Sequence, residues 1–302
     1  MKSFVKIVYL CCVMMFSAVP SWSATEQDED IKVRTDVAAV MDYMRTDKPR
    51  LASLWDTVNA LPPGKVLAEL RRYQHDSDER VRNAVLDFTY SVAKRNPRQS
   101  AAQQAIELIF EMATSDPSKD VASSAVSRLL KFSRAEIPPA VHRAVVEYLM
   151  NTLPNGVDVE IVELAGIAEV RNAQGKLREL ASGNYRASHM ARLALARMGD
   201  SEAIRYIVHK AQSEPDLQHN ITLVLRDLSY IRHPEALTVL VGLLFNEGVQ
   251  KGNGSDVPDY RFAQRATNYL ADVVEGFPRF VTFTEARAWV TKRGIENLKI
   301  KR

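Results

Sequence analysis

One helical pattern of apolar residues returns about every twenty residues along this chain. The template places apolar or small side chains at offsets 0, 3, 4, 7, 8 and 11, the buried stripe of an amphipathic helix, and Arg128 is a misfit in the copy that begins at Val121. The first four copies begin at Val81, Ala102, Val121 and Val141, separated by 21, 19 and 20 residues. This regularity predicts a series of similar helices, each of which buries its stripe against its neighbours.

The pattern continues through the second half of the chain with a few polar interruptions, at Glu160, Asn220 and Arg265. Almost no stretch alternates between apolar and polar residues as a half-buried strand would. The sequence therefore predicts an all-α fold. The later copies begin at Val157, Ala187, Ile204, Leu217, Leu237 and Phe262.

Residues that begin and end helices lie between the stripes. Proline is tolerated in the first turn of a helix, where its missing N–H would have no partner, and it occurs there in Asn96-Pro97, Asp116-Pro117 and His233-Pro234. Thr282 and Glu285 form a predicted capping box at the start of the last helix. Connections this short make consecutive helices antiparallel. Glycines that favour a left-handed helix cap follow several stripes, at Gly183, Gly199, Gly248, Gly276 and Gly294.

Three runs of the sequence resemble HEAT-like repeats. Acidic residues precede Val81-Arg82-Asn83-Ala84, a helix–Gly-Asp–helix junction lies within Leu195–Ile204, and Leu225–Leu237 echoes that junction with a longer turn. Glu-Ala pairs at Glu202 and Glu235 recur 33 positions apart. The resemblance covers about residues 62–275 and implies a HEAT/armadillo-like α-solenoid, a right-handed superhelix of antiparallel helix pairs.

The first 23 residues are typical of a cleavable signal peptide. A basic start is followed by the apolar run Ile7–Ala18, and small residues at Ser21 and Ser23 predict cleavage before Ala24. A membrane anchor is less favoured, because this run is shorter than the ~20 residues that span a bilayer. A lipoprotein signal is also less favoured, because Leu10 and Cys11 are poor residues ahead of a lipidated cysteine. We therefore expect a periplasmic or secreted protein.

Cleavage would leave a chain without thiols, because both cysteines, Cys11 and Cys12, lie in the predicted signal peptide (residues 1–23). Disulfides, zinc–thiolate sites and cysteine nucleophiles are then excluded. Loss of Lys2 and Lys6 reduces 40 basic residues to 38 against 37 acidic ones, which argues against a nucleic-acid partner. No later segment approaches transmembrane length, so we expect no stable membrane insertion.

Beyond the signal peptide we expect three segments. An acidic flexible N-terminus covers residues 24–32, a single solenoid covers residues 33–294, and a basic, solvated tail covers residues 295–302. Within the solenoid, residues 166–183 fit the spacing poorly and predict a bend or hinge. Residues 248–258 are polar and glycine-rich and predict a long loop.

No sequence motif for catalysis, a cofactor or a metal is found. The six histidines form no His-Glu-x-x-His pair. An enzymatic alternative is an all-α carbohydrate-active enzyme similar to polysaccharide lyases, which needs a Tyr or His base and an Arg near an acidic sugar. Residues of those types occur at Tyr185, Arg186, His189 and Arg192.

The binding interpretation follows from the predicted solenoid, since stacked helix pairs leave an extended surface on which a partner protein can lie. We therefore expect a non-catalytic scaffold or adaptor with an exposed partner-binding surface. The candidate partner-binding residues are Arg82, His189, Arg192 and Arg226. A purely structural role for these residues, as salt bridges between repeats, is an alternative. A periplasmic inhibitor or immunity protein is a further alternative for the function.

Overall fold

The computed structural model describes residues 24–46, 52–95, 97, 99–214, 217–246, 248–251, 256–279 and 281–301. These residues are almost entirely helical, which confirms the predicted all-α class. The fifteen α-helices are α1 (Ala24–Met44), α2 (Ala52–Asn59), α3 (Pro63–Leu70), α4 (Glu79–Arg95), α5 (Ser100–Ser115), α6 (Lys119–Leu129), α7 (Pro139–Asn151), α8 (Val159–Ile167), α9 (Gln174–Ser182), α10 (Ser188–Arg197), α11 (Ser201–Gln212), α12 (Leu217–Ile231), α13 (Pro234–Leu244), α14 (Arg261–Val273) and α15 (Phe283–Arg293).

Several helices begin where the sequence supplies a cap or a first-turn proline. The Ser118 side chain accepts a hydrogen bond from the Val121 amide at the start of α6. Thr282 and Glu285 form the predicted capping box of α15. Pro139 and Pro234 occupy the first turns of α7 and α13. These features fix the phase of each helix, so that its apolar stripe faces its neighbours.

The chain divides into two compact units, Met1–Ala105 and Ile106–Arg302. In the first unit, α1 packs against α2, α3 and α4. Val37, Met41, Leu67, Leu70 and Phe88 are almost completely buried there. These aliphatic and aromatic side chains form the core of the first unit.

The N-terminal predictions have two outcomes. The predicted signal peptide, residues 1–23, lies outside the described residues. The acidic segment 24–32, predicted to be flexible, is instead the first part of helix α1. Lys65 Nζ lies 2.5 Å from Glu29 Oε2 and 2.9 Å from Asp30 Oδ1, which ties the acidic segment to α3. In the described part of the chain, no helix is both long and apolar enough to cross a membrane.

Helix α10 is the most enclosed element of the second unit. It packs against α8, α9, α11 and α12. Its predicted stripe is buried, and so are Leu193 and Ala196 on other sides of the helix. The small side chains of Ala191 and Ala194 let the neighbouring helices approach closely. Polar residues of α10 can therefore reach solvent only at the margins of this packing.

At Gly166, helix α8 comes very close to α10 and α12. A Cβ at this position of α8 would lie 2.0 Å from Tyr230 Oη and 2.8 Å from Ala194 Cα. The Tyr230 hydroxyl donates a hydrogen bond of 2.7 Å to the carbonyl oxygen of Glu163. Gly166 therefore allows α8, α10 and α12 to meet, where the sequence predicted an ill-fitting bend over residues 166–183.

In the segment predicted as a long loop, residues 248–258, the described residues 248–251 and 256–258 belong to two paired strands. Strands β1 (Gly248–Lys251) and β2 (Asp256–Asp259) pair antiparallel, with Val249 opposite Pro258 and Gln250 opposite Val257. Local backbone hydrogen bonds between two short strands satisfy the polar groups that a loop would expose to water. The prediction of a loop was wrong in this respect.

The basic C-terminal segment is also part of the fold and not a solvated tail. A 3₁₀-helix spans Ile295–Asn297. Ile300 then forms an antiparallel bridge with Val274. The Lys301 amide donates to the Val273 carbonyl at 2.8 Å, and the Glu275 amide donates to the Lys299 carbonyl at 2.8 Å. These backbone bonds attach the segment to the end of α14.

Two glycine substitutions separate close packing from helix propensity. We expect Gly166→Ala to lower the free energy of unfolding by about 1–3 kcal/mol, because the new methyl group overlaps the backbone of α10. Gly242→Ala, in α13, has nothing within 4 Å of the added Cβ and should stabilise the protein by about 0.5–1 kcal/mol. Urea denaturation measures both. Equal effects of the two substitutions would contradict the close approach at Gly166.

Candidate functional site

Arg82, predicted to be an exposed partner-binding residue, is buried in the first unit. Its residue exposure is 5 %. The guanidinium Nη1 donates to the carbonyl oxygens of Asp76 at 2.7 Å and Ser77 at 3.4 Å. Arg82 thus holds the turn that precedes α4, because the side chain folds back toward carbonyls just before its own helix. The prediction that Arg82 is exposed was wrong.

His189 and Arg226 do meet, around a buried carboxylate. His189 Nε2 lies 2.6 Å from Asp227 Oδ2, which joins α10 to α12. Arg226 Nη2 lies 3.6 Å from Asp227 Oδ1. The His189 side chain is 35 % exposed and that of Asp227 is 12 % exposed. The contact fits the structural alternative, a polar pair between neighbouring helices, and leaves the His189 side chain partly exposed.

These side chains line a groove of about 240 Å³ beside α11. We call it the second groove, to distinguish it from the first groove, which Arg192 lines. The walls of the second groove come from α10, α11 and α12, and Leu223 stands at its edge with half of its surface exposed. Lys210 adds a further cation from α11.

Arg192 lies in a different groove, which is lined by other residues of α11. This first groove has a volume of about 420 Å³ and is also lined by Arg178, Asp200 and Tyr206. The Arg192 guanidinium carbon lies 4.9 Å from the centre of the Tyr206 ring, a cation–π contact. Tyr206 remains 45 % exposed. His189 and Arg192, three residues apart, therefore serve two separate grooves, and both are less exposed than predicted because α10 is enclosed.

Tyr185, Arg186, His189 and Arg192, which the sequence offered for a lyase-like site, do not converge on a common site. His189 contacts Asp227 on α12, and Arg192 contacts Tyr206 on α11. Tyr185 packs in the turn before α10, where a Cβ on Gly183 would lie 2.1 Å from its ring. Arg186 is exposed next to that turn.

A third site, which the sequence did not reveal, lies at the end of α10 and α12. We call this the arginine cavity. It has a volume of about 400 Å³. Arg197, at the end of α10, donates from Nη1 to the Tyr230 carbonyl at 2.5 Å, and its guanidinium carbon lies 5.0 Å from the Tyr230 ring centre. Residues on five segments of the chain line the arginine cavity, including Lys131, Glu163, Arg197, Arg226 and Arg232.

Burial shapes the electrostatics of the arginine cavity. It lowers the pKa of the Arg197 guanidinium and that of Arg232, because both cations are partly withdrawn from water. It raises the pKa of the Glu163 carboxyl, which the charge of Arg226 partly offsets. Burial also raises the pKa of the Tyr230 hydroxyl.

A smaller hollow of about 260 Å³ adjoins the arginine cavity and shares Arg134, Arg197 and Arg232 with it. Arg134 Nη1 lies 2.6 Å from Glu169 Oε2. Arg232 Nη1 donates to the Lys301 carbonyl at 3.1 Å, which links the hollow to the C-terminal segment. Together the two spaces are lined by seven basic side chains, Lys131, Arg134, Arg171, Arg197, Arg226, Arg232 and Lys301, and by four acidic ones, Glu136, Glu163, Glu169 and Asp272.

Side chains suited to holding a metal do not cluster in the described part of the chain. No group of three or more His, Cys, Asp or Glu residues there could hold an ion. The charged groups that do converge are guanidinium cations, which bind carboxylates and phosphates through paired N–H donors. The chemistry that these residues can supply is therefore anion binding.

A double-mutant cycle tests the pairing of His189 with Asp227. His189→Ala should cost about 1–3 kcal/mol of unfolding free energy, because it removes the hydrogen bond of a buried carboxylate. The double variant His189→Ala/Asp227→Ala should cost less than the sum of the two single variants by about 1 kcal/mol or more. Arg178→Ala, which breaks an exposed pair with Asp200, is the control and should cost under about 1 kcal/mol. Additivity of the His189 and Asp227 variants would show that the pair does not stabilise the fold.

No protein-family model, curated protein or solved structure matches this chain. Its function must therefore be inferred from the residues of its own grooves and cavity. The two grooves beside α11 offer exposed aromatic, aliphatic and cationic groups, and the arginine cavity offers converging guanidinium groups.

Proposed function

We propose that the protein is a non-catalytic binding protein of the periplasm or of the secreted fraction, and that it holds a partner protein on the helical surface around α11. The observation that carries this proposal is the exposure of Tyr206 and Leu223, one at each groove beside α11. Tyrosine and arginine are enriched among the residues that dominate protein–protein affinity, and Leu223 adds exposed apolar surface beside them. Arg192 and Arg226 supply the arginines.

The arrangement of the helices as a HEAT-like superhelix is part of the same proposal. Helices packed against their neighbours in sequence, such as α9 with α10 and α10 with α11, support it. The 33-residue offset between Glu202 and Glu235 also separates Arg197 from Tyr230, which are in contact. If successive repeats stack, the number of residues between equivalent positions should also separate residues that are in contact. Export by the signal peptide at residues 1–23 would place this surface outside the cytoplasm.

Site-specific photo-crosslinking tests the proposed binding surface. A photoreactive amino acid at position 206 or 223 should capture one and the same protein in cells that export the chain. Position 150 is the matched control, because Met150 is also an exposed apolar residue of the second unit, at 61 %, but lies on α7. No captured protein is expected from that position.

A second variant shows whether the captured protein depends on this surface. Leu223→Glu should reduce capture from position 206 at least ten-fold, because it places a charge in the apolar contact, whereas Met150→Glu should leave capture unchanged. Equal capture from all three positions, or a captured protein that Leu223→Glu does not affect, would contradict a binding surface around α11.

A further inference from the structure

Arg197 and Arg232 bring two guanidinium groups to one cavity, and the carboxylates of Glu163 and Asp272, which also line it, act on them from beyond ion-pair distance. Among the residues that the structure describes, no carboxylate lies within ion-pair distance of either group, although Arg134 nearby is paired with Glu169. Each of the two uses Nη1 on a backbone carbonyl, Tyr230 for Arg197 and Lys301 for Arg232. A guanidinium carries five N–H donors, so both groups retain donors that can face the cavity.

The two guanidinium groups are held in fixed positions. Arg197 lies over the Tyr230 ring, and the Tyr230 hydroxyl is in turn bonded to the Glu163 carbonyl at 2.7 Å. Arg232 is bonded to the C-terminal segment, whose position is set by the backbone bond of Lys301 to Val273. Donors that are already oriented lose little conformational freedom when a ligand arrives, which favours binding.

Arg232, whose side chain lines the cavity, has a backbone conformation that residues other than glycine rarely adopt. Arg232 has φ +47° and Glu169 has φ +50°, and in the described chain these are the non-glycine residues with positive φ. Both follow the ends of helices, α12 and α8, where glycine is the favoured residue. Both also line the hollow next to the arginine cavity. Non-glycine residues in this region of backbone conformation cluster at ligand sites.

We propose that the arginine cavity binds a monoanionic carboxylate through Arg197 and Arg232. The planar carboxylate matches the paired N–H donors of a guanidinium. Seven basic and four acidic side chains leave an excess of positive charge around the two spaces. Glu163 lines the cavity as well, and its charge would repel a phosphate dianion more strongly than a carboxylate. A volume of about 400 Å³ fits a small carboxylic acid or the carboxyl end of a peptide.

Isothermal titration of the purified chain with four probes, at constant ionic strength and pH 7, tests the class of ligand. Acetate and N-acetylglycine should bind saturably, and N-acetylglycine amide, which lacks the charge, should not. If the affinity for N-acetylglycine is at least ten-fold above that for acetate, the carboxylate that the cavity prefers is the carboxyl end of a peptide. Equal affinities identify a small carboxylic acid as the ligand. Tighter binding of inorganic phosphate than of either carboxylate, or no saturable binding of carboxylates, would overturn the proposal.

Three variants assign the binding to the named residues. Arg197→Lys, which keeps the charge and loses the fork of donors, and Arg232→Gly should each weaken carboxylate binding at least ten-fold. Glu163→Gln should strengthen it, because a nearby negative charge is removed. Arg178→Ala, an exposed arginine of the first groove, is the control and should bind as the unaltered chain does.

Thermal denaturation of Arg232→Gly separates a binding role from a structural one. Glycine relieves the positive φ, so we expect an unchanged or higher Tm together with the loss of binding. Unchanged carboxylate affinity in Arg232→Gly would overturn the proposal. The titrations contain no partner protein, so their outcome is independent of whether the surface around α11 binds one.

Discussion

The packing of α10 against α8, α9, α11 and α12 is the constraint on which the second unit depends. Because this helix is enclosed, its half-buried side chains His189, Arg192 and Arg197 reach solvent at different edges of the helix packing. His189 reaches the second groove, Arg192 reaches the first groove, and Arg197 reaches the arginine cavity. One helix of ten residues therefore places a histidine or an arginine in each of three recesses on the second unit.

The same packing explains why these side chains have the partners they do. A buried polar group is costly unless it is hydrogen-bonded, so each side chain leaves the core toward a carboxylate, an aromatic face or a carbonyl. His189 is compensated by Asp227, and Arg192 by the Tyr206 ring. Among the residues that the structure describes, Arg197 hydrogen-bonds to the Tyr230 carbonyl and lies against the Tyr230 ring. The difference in compensation distinguishes a structural polar pair from groups that can bind a ligand.

The helices could be predicted from the sequence because their apolar stripes are local. The stripe from Val81 became α4, and the stripe from Val141 became α7. The pairing of β1 with β2 and the attachment of Ile300 to Val274 were not predicted, since they depend on pairing between segments. Arg82 was misplaced because its carbonyl partners lie in the turn before its own helix.

The arginine cavity could not be predicted because its residues are distant in sequence. Arg134, Glu163, Arg197 and Arg232 come from different segments, and no spacing rule joins them. The sequence held one signal for a contact in this cavity. The 33-residue offset between the Glu-Ala pairs also separates Arg197 from Tyr230, which are hydrogen-bonded. Gly166 was recognised as irregular, but only the structure shows that its missing side chain admits Tyr230.

Hydrogen–deuterium exchange at single-residue resolution tests most directly whether α10 is the enclosed centre of the second unit. The amides from Arg192 to Arg197 should be among the slowest to exchange in the second unit, because they open only when packing on several sides is lost. Amides of α7, which has exposed residues such as Arg143, Glu147 and Met150, should exchange faster. Exchange of α10 as fast as that of α7 would contradict the central position of this helix.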